Sequence, residues 1–340
     1  MIPLSEQQRL FLVESDQVYR AWESAVRQTA QYRHGIRWSK SNGHEYLIRL
    51  SGQGYGRSLG VRSPKTEQLH AEFVSGRQRA KERLAGLSAR LKEQARLNKA
   101  VRLGRVPQVI ADILGALNVR GAGADFRVIG THALYAYEAM AAVHCKRELL
   151  ASGDVDLLYD SRKRLSLVSK KLESHGLLGV LKTVDKSFEA QTKGSFRAIN
   201  KSGFMVDLVG PVSDLRNQEV SFAKNDLVQV EVPSLQWLAN SPLIEVVAIA
   251  ANGLPVKMPV CDPRAFALHK VWLAQRPDRE PAKKLRDQEQ GYLAAELVLR
   301  YLPQYPFSSE QLRYLPAELI QYSATKIEQD TDIRLPGLDF

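Results

Sequence analysis

An α+β fold is predicted by three features of this 340-residue chain. Helical apolar spacing occupies both ends. A two-residue alternation flanks an Asn-Gly pair near residue 42, and short apolar strands interrupted by aspartates lie between Phe126 and Val209. Hydrophobic residues make up 44% and charged residues 25%, so the chain has the composition of a folded protein, long enough for two structural units. No apolar run approaches the roughly 20 residues needed to span a bilayer. Met1 to Gln8 also lacks the basic-then-apolar pattern of a secretory signal, so a cytoplasmic protein without membrane association is expected. Cys145 and Cys261 have neither disulfide nor thiolate-metal spacing and read as reduced thiols.

From Ser5 to about Tyr32 the pattern is helical: Ser5 can cap, Glu6 suits the first turn, and Leu12, Tyr19, Trp22 and Val26 share a face. The period then changes to two. Ile36–Lys40 and His44–Leu50 flank Ser41-Asn42-Gly43, which predicts a hairpin. Gly52 to Pro64, with Gly52, Gly54, Gly56 and Gly60 beside Arg57 and Arg62, reads as a loop, either one that brings bare backbone to a phosphate or a flexible linker. A long helix follows from Thr66 to about Leu103, with Leu69, Phe73, Ala80, Leu84, Leu87, Leu91 and Leu97 on its apolar side. The net charge of +11 is concentrated there: Arg77 to Arg105 holds ten Lys or Arg against Glu82 and Glu93. This favours a polyanionic partner.

Pro107 opens a helix through Leu117, and Gly121-Ala122-Gly123 ends it before the strand Phe126–Ile129. Gly130-Thr131 then turns into the next helix, where backbone N–H groups could meet a phosphate. In Asp154-Val155-Asp156 an extended backbone places both carboxylates on one face and sends Val155 and Leu157 to the core. Two like charges so close repel unless a cation intervenes, and a hard divalent ion with oxygen ligands would resolve the conflict; solvated aspartates on a polar turn are the alternative. A third acid, Asp207, interrupts the apolar strand Phe204–Val209 between Gly203 and Gly210-Pro211, where burying it unpaired would be expensive. Three acids on two strands after a glycine turn match two-metal phosphoryl transfer.

These residues resemble the DNA polymerase beta-like nucleotidyltransferase superfamily, whose pattern is a glycine turn opening a helix, Asp-x-Asp on a strand and a third acid on a neighbouring strand. More narrowly, the chain is similar to a bacterial group of minimal nucleotidyltransferase-fold proteins. The similarity runs through Trp38, Glu45-Tyr46-Leu47, Ser58 to Ser63, Thr66-Glu67, Arg105-Val106-Pro107, Gly130 to Glu138, Asp154 to Leu158, Phe196 to Asn200 and Val206-Asp207-Leu208. Thr131 stands where Ser or Gly is usual, and His132 where a small polar residue is expected; His132 reads as a helix cap, with the nucleotide as its other possible partner.

The resemblance implies a core of a small mixed sheet backed by helices at 106–235, an N-terminal helix, hairpin and basic helix at 1–105, and a helical part at 236–340. It implies transfer of a nucleoside monophosphate from an NTP to an acceptor hydroxyl, with Asp154, Asp156 and Asp207 as catalytic metal ligands for magnesium or, alternatively, manganese. Nucleotide contacts are expected from Gly130, Thr131, Arg197 and Lys270, the last on a helix opened by Asp262-Pro263. The run Arg279 to Gln290 follows it and supplies Lys283, Lys284, Arg286 and Asp287. RNA or another nucleic acid held by residues 77–105, and a regulatory protein, are the expected partners. A module that keeps the fold without catalysis is the competing reading; it predicts neither metal dependence nor nucleotide turnover.

Overall fold

A computed structural model describes residues 1–51, 56–160, 162, 165–172, 176–212 and 219–338. The chain starts with a short strand, β1 (Ile2–Pro3), and the helix α1 (Glu6–Ala30). Ser5 caps α1 as expected: its hydroxyl accepts from Gln8 N, while Gln8 Oε1 accepts from Ser5 N at 3.0 Å. The hairpin follows as β2 (Ile36–Ser41) and β3 (His44–Leu50). Asn42 and Gly43 both have positive φ, 48° and 79°, the backbone that a two-residue turn between twisted strands requires.

The glycine-rich segment is not the expected loop throughout. Gly56–Val61 forms a third strand, β4, antiparallel to β3, while Gly52 and Gly54 lie outside the described residues. The far edge of β3 offers unpaired backbone groups, and a register shift at Leu47/Ile48, with Gly60 at φ 128°, lets the glycines pair with it. The long helix α2 (Pro64–Ala100) then returns antiparallel to α1. It buries only a narrow face that includes Ala80, Leu91, Gln94, Ala95 and Asn98.

The central region continues with α3 (Gln108–Val119), β5 (Phe126–Ile129), α4 (Ala133–Ala141), β6 (Val143–His144), α5 (Arg147–Leu150) and β7 (Asp154–Tyr159). Next come α6 (Leu165–Leu172), α7 (Gly176–Val184), β8 (Glu189–Ala190), β9 (Arg197–Ile199), β10 (Met205–Gly210) and β11 (Val230–Glu231). The chain ends with α8 (Leu235–Asn240), β12 (Ile244–Ile249), β13 (Pro255–Val260), α9 (Pro263–Gln275), α10 (Pro281–Tyr301) and α11 (Ala317–Asp330).

Among the described residues one mixed sheet has the order β12-β13-β5-β7-β10-β9-β8, with β11 beside β10. β7 and β10 run parallel at its centre, and β5 and β9 flank them antiparallel. Helices α3 and α4 pack against it, α10 with α9 beside it packs on α4, and all four share one core with the sheet. The part after residue 236, expected to be helical, supplies β12 and β13, so the expected boundary near 235 falls inside the sheet. Val246, Val247, Ala248 and Ile249 are all buried, and a strand without alternation cannot be told from a buried helix by period. Among the described residues no helix is long and apolar enough to cross a membrane.

Several polar junctions fix the N-terminal helices to this body, the ion pair of Lys257 on β13 with Glu23 on α1 among them. Arg105 pairs with buried Glu138 of α4 at 2.9 Å and also donates to Cys145 O. Asn98, fully buried on α2, donates to Ser15 Oγ of α1 and to Gly253 O after β12, both at 2.9 Å. Replacing Asn98 by Ala leaves a buried hydroxyl and a buried carbonyl unpaired, so the variant is expected to lose about 1–3 kcal/mol of unfolding free energy in urea titration; unchanged stability would show that the junction carries no weight.

Candidate active site

The strand register decides where the acids meet. Asp154 and Asp156 lie two residues apart on β7, with Val155 and Leu157 buried between and beyond them, so both carboxylates emerge on the same face. On the parallel neighbour β10, Asp207 stands in register with Asp156, and Met205 with Asp154. On the other side of β7, Asp156 pairs in register with Ile129, the last residue of β5, so its side chain adjoins the turn that follows.

That turn requires glycine. Gly130 has φ 64°, and a Cβ there would collide with Asp156 Oδ2. From Gly130 to His132 the chain makes one 3-10 turn and enters α4. Thr131 Oγ1 accepts a hydrogen bond from Gln290 of α10 at 3.1 Å, which ties the turn to the C-terminal helices. His132 does not make the expected side-chain cap. It is only 1% exposed, packs at a tilt against Tyr135 and edge-on to Phe204, and is held neutral by burial, which pushes its pKa down to about 4. It supports the turn from below, beside Asp154.

The remaining walls carry positive charge. Arg197 of β9, in register with Asp207, grips it with both arms: Nε to Oδ1 at 2.7 Å and Nη2 to Oδ2 at 2.6 Å. Across the cleft, α9 and α10 pack side by side and bring Lys270 and Asp287 together at 2.5 Å. Arg279 donates to the other oxygen of Asp287 at 2.6 Å. Asp287 thus holds two cations at the rim of the same cleft. Lys283 and Arg286 complete that wall, and Ser152 donates to Asp154 at 2.5 Å from the opposite side.

The cleft has a volume of about 220 Å³ and is lined by Gly130, Thr131, Asp154, Asp156, Arg197, Asp207 and Lys270. All seven residues singled out from the sequence therefore meet in one place. Ser152, Arg279, Lys283, Arg286 and Asp287 line it too. Of these, Ser152 and Arg279 had no assigned role. Arg279 belongs to a short turn between two helices, and no spacing rule connects it to acids that far back in the sequence. Larger grooves exist elsewhere, one of about 470 Å³ beside Tyr19 and Trp22, but they lack this concentration of charge.

Electrostatics single out Asp156. Burial raises its pKa to about 7, and the neighbouring charges of Asp154 and Asp207 add to the effect, against the opposing pull of Lys270 and Arg279. Among the described residues no three acid, His or Cys side chains form a ready-made metal cage. The donor chemistry nonetheless fits a hard cation. Asp154 and Asp156 supply oxygen ligands whose mutual repulsion a divalent ion relieves, whereas Asp207 has both oxygens engaged by Arg197 and would join only if that pair opened.

No curated protein and no solved structure matches the chain. A family model described as nucleotidyltransferase matches residues 108–314, more than half of the sequence. The matched span starts on α3 and ends beyond α10, so it takes in both sides of the cleft: the glycine turn with its three acids, and the cations that face them. By that match, with the fold that carries it, the chain belongs to the nucleotidyltransferase family.

Proposed function

We propose that the chain transfers a nucleoside monophosphate from an NTP to an acceptor hydroxyl, in a cleft whose acidic floor recruits magnesium and whose basic rim receives the triphosphate. The observation that carries this reading is the register of Asp156 with Asp207 on parallel strands, opposite the cations of α9 and α10. Bound magnesium would be held by Asp154 and Asp156 and would offset the charge that accumulates on the reacting phosphate.

The chain's own groups divide the remaining work. The backbone at Gly130 allows a phosphate to come close, because no side chain intervenes. Lys270 and Arg279, held by Asp287, face the place where negative charge develops on departing pyrophosphate. The acceptor oxygen attacks the α-phosphorus, the bond from that phosphorus to the bridging oxygen breaks, and pyrophosphate leaves with the electron pair. The acceptor's proton goes to a carboxylate. Asp207 is the cleft acid left free of magnesium in this arrangement, and it can take that proton once Arg197 releases one of its oxygens.

Incubation of the protein with each labelled NTP, magnesium and either total RNA or cell lysate is expected to transfer label to an acceptor. Asp154→Ala and Asp207→Ala are expected to reduce transfer by about 10²-fold or more. Absence of label together with absence of magnesium-dependent nucleotide binding would sink the proposal.

A second test does not depend on turnover. Because the folded-state pKa of Asp156 is raised from 3.8 to about 7, the stability linked to its protonation is complete below the unfolded value and is lost as pH rises through about 7. Without divalent ions, Asp156→Asn is therefore expected to melt several degrees above wild type at pH 8, with a smaller gap at pH 5. Magnesium is expected to lift the wild type at pH 8 and to leave the variant nearly unmoved. Equal melting temperatures at pH 8 would refute the assignment of Asp156 as a crowded carboxylate.

A further inference from the structure

The net charge of the protein sits entirely in its N-terminal region, and α2 carries the largest share of it, nine Lys or Arg against four Glu. Residues 1–105 hold 20 Lys or Arg against 9 Asp or Glu, a difference of +11, and the remaining 28 basic residues are balanced by 28 acidic ones. The two groups of cations also differ in their surroundings. Arg197, Lys270 and Arg279 of the cleft are all paired with carboxylates. On α2, by contrast, Arg77, Arg79, Lys81, Arg90, Lys92 and Arg96 are exposed, and among the described residues none of them has an ion-pair partner. An array of unneutralised like charges weakens the compact state through self-repulsion, which points to an external polyanion.

The shape of the arm narrows the partner. At 1.5 Å per residue, the 37 residues of α2 extend about 55 Å, the length of roughly 16 nucleotide steps in a duplex. A membrane-bound helix would need an outward apolar stripe, but the buried face of α2 is turned to α1, and its exposed Leu69, Val74 and Leu97 are scattered around it. The C-terminal end of α2 is seated on the catalytic body through Asn98 and Gly253, and Leu91 packs with Val18, Tyr19 and Val247 of the edge strand β12. β12 is three strand spacings, about 15 Å, from the acids on β7. A polymer lying along the arm therefore runs onto the body that carries the cleft.

We propose that α2 is a nucleic-acid-binding arm that holds phosphodiester backbone without reading bases. That the bound strand is also the acceptor rests on the transferase reading; the binding does not. The counterions released from the strand supply the driving force, so affinity falls steeply with salt.

The test is fluorescence anisotropy of a labelled 20-nucleotide RNA with the full chain, in EDTA and without NTP, at several salt concentrations. Arg77→Glu, Lys81→Glu and Arg96→Glu combined are expected to weaken binding about thirtyfold or more at low salt and to reduce the log–log salt slope by about 2. Lys182→Glu, Lys186→Glu and Arg313→Glu combined carry the same charge change off the arm and are expected to stay within threefold of wild type. Unchanged melting of both variants shows that folding is preserved. Equal loss in the two triples, unaltered binding by the arm triple, a tenfold preference among sequences, or equal competition by polyglutamate each overturns the proposal. Comparable binding of DNA of the same sequence supports backbone contact. If label transfer occurs but nucleic acid does not bind, the arm fails alone; if RNA binds while label transfer and magnesium-dependent nucleotide binding are both absent, the catalytic reading fails alone.

Discussion

Repulsion among carboxylates at the centre of the sheet is the constraint around which the rest of the molecule is arranged. Asp156 has an acid two residues before it on its own strand and another in register on the next, and its own burial already penalises ionisation. An apolar replacement would relieve all three effects. The fold instead surrounds the acids with counter-charges delivered by separate elements: Arg197 from β9, then Lys270 from α9 and Arg279 from the turn that follows it, across the cleft. That arrangement makes sense when the acids must stay available to something that enters and leaves.

The scaffold accommodates this charge through strand pairing. Val155, Leu157, Val206 and Leu208 are buried within strands whose alternate positions carry the acids, so the residues that build the core also set the spacing of the cleft. A slip of one residue in β7 would send Asp154 and Asp156 into that core, which makes the register and the acidic floor of the cleft the same requirement. Gly130 adds the complementary condition from the next strand, since a side chain there would occupy space that Asp156 already fills.

Much of this was legible in the sequence because it depends on short-range rules. Asp-x-Asp on a strand, the Gly-Thr turn and Asp207 within an apolar run are local statements, and each residue so identified lines the cleft. The hairpin at Asn42-Gly43 and the cap at Ser5 are local in the same sense. What escaped was non-local. β12 and β13 lack alternation because they are buried on both faces, and β4 depends on an edge that only a folded β3 provides. The bidentate hold of Arg197 on Asp207 joins residues ten apart in sequence, yet it follows from the pairing of β9 with β10, which no spacing rule announces. His132 was misread because burial, not its position at the head of a helix, determines what its ring does.

Two kinds of positive charge follow from these two settings. In the cleft each strongly placed cation is held by a carboxylate, which fixes its position and lowers the cost of waiting for a ligand that brings several negative charges at once. Among the described residues, the exposed Arg77, Arg79, Lys81, Arg90, Lys92 and Arg96 of α2 have no such partners. That suits a polymer whose charges repeat along its length and need no single geometry. A catalytic centre demands precision and pairs its charges; an extended binding face demands reach and leaves them open. On the two proposals made above, the neutrality of residues 106–340 beside an N-terminal region carrying the whole excess would separate the positioning of a reaction from the capture of what reacts.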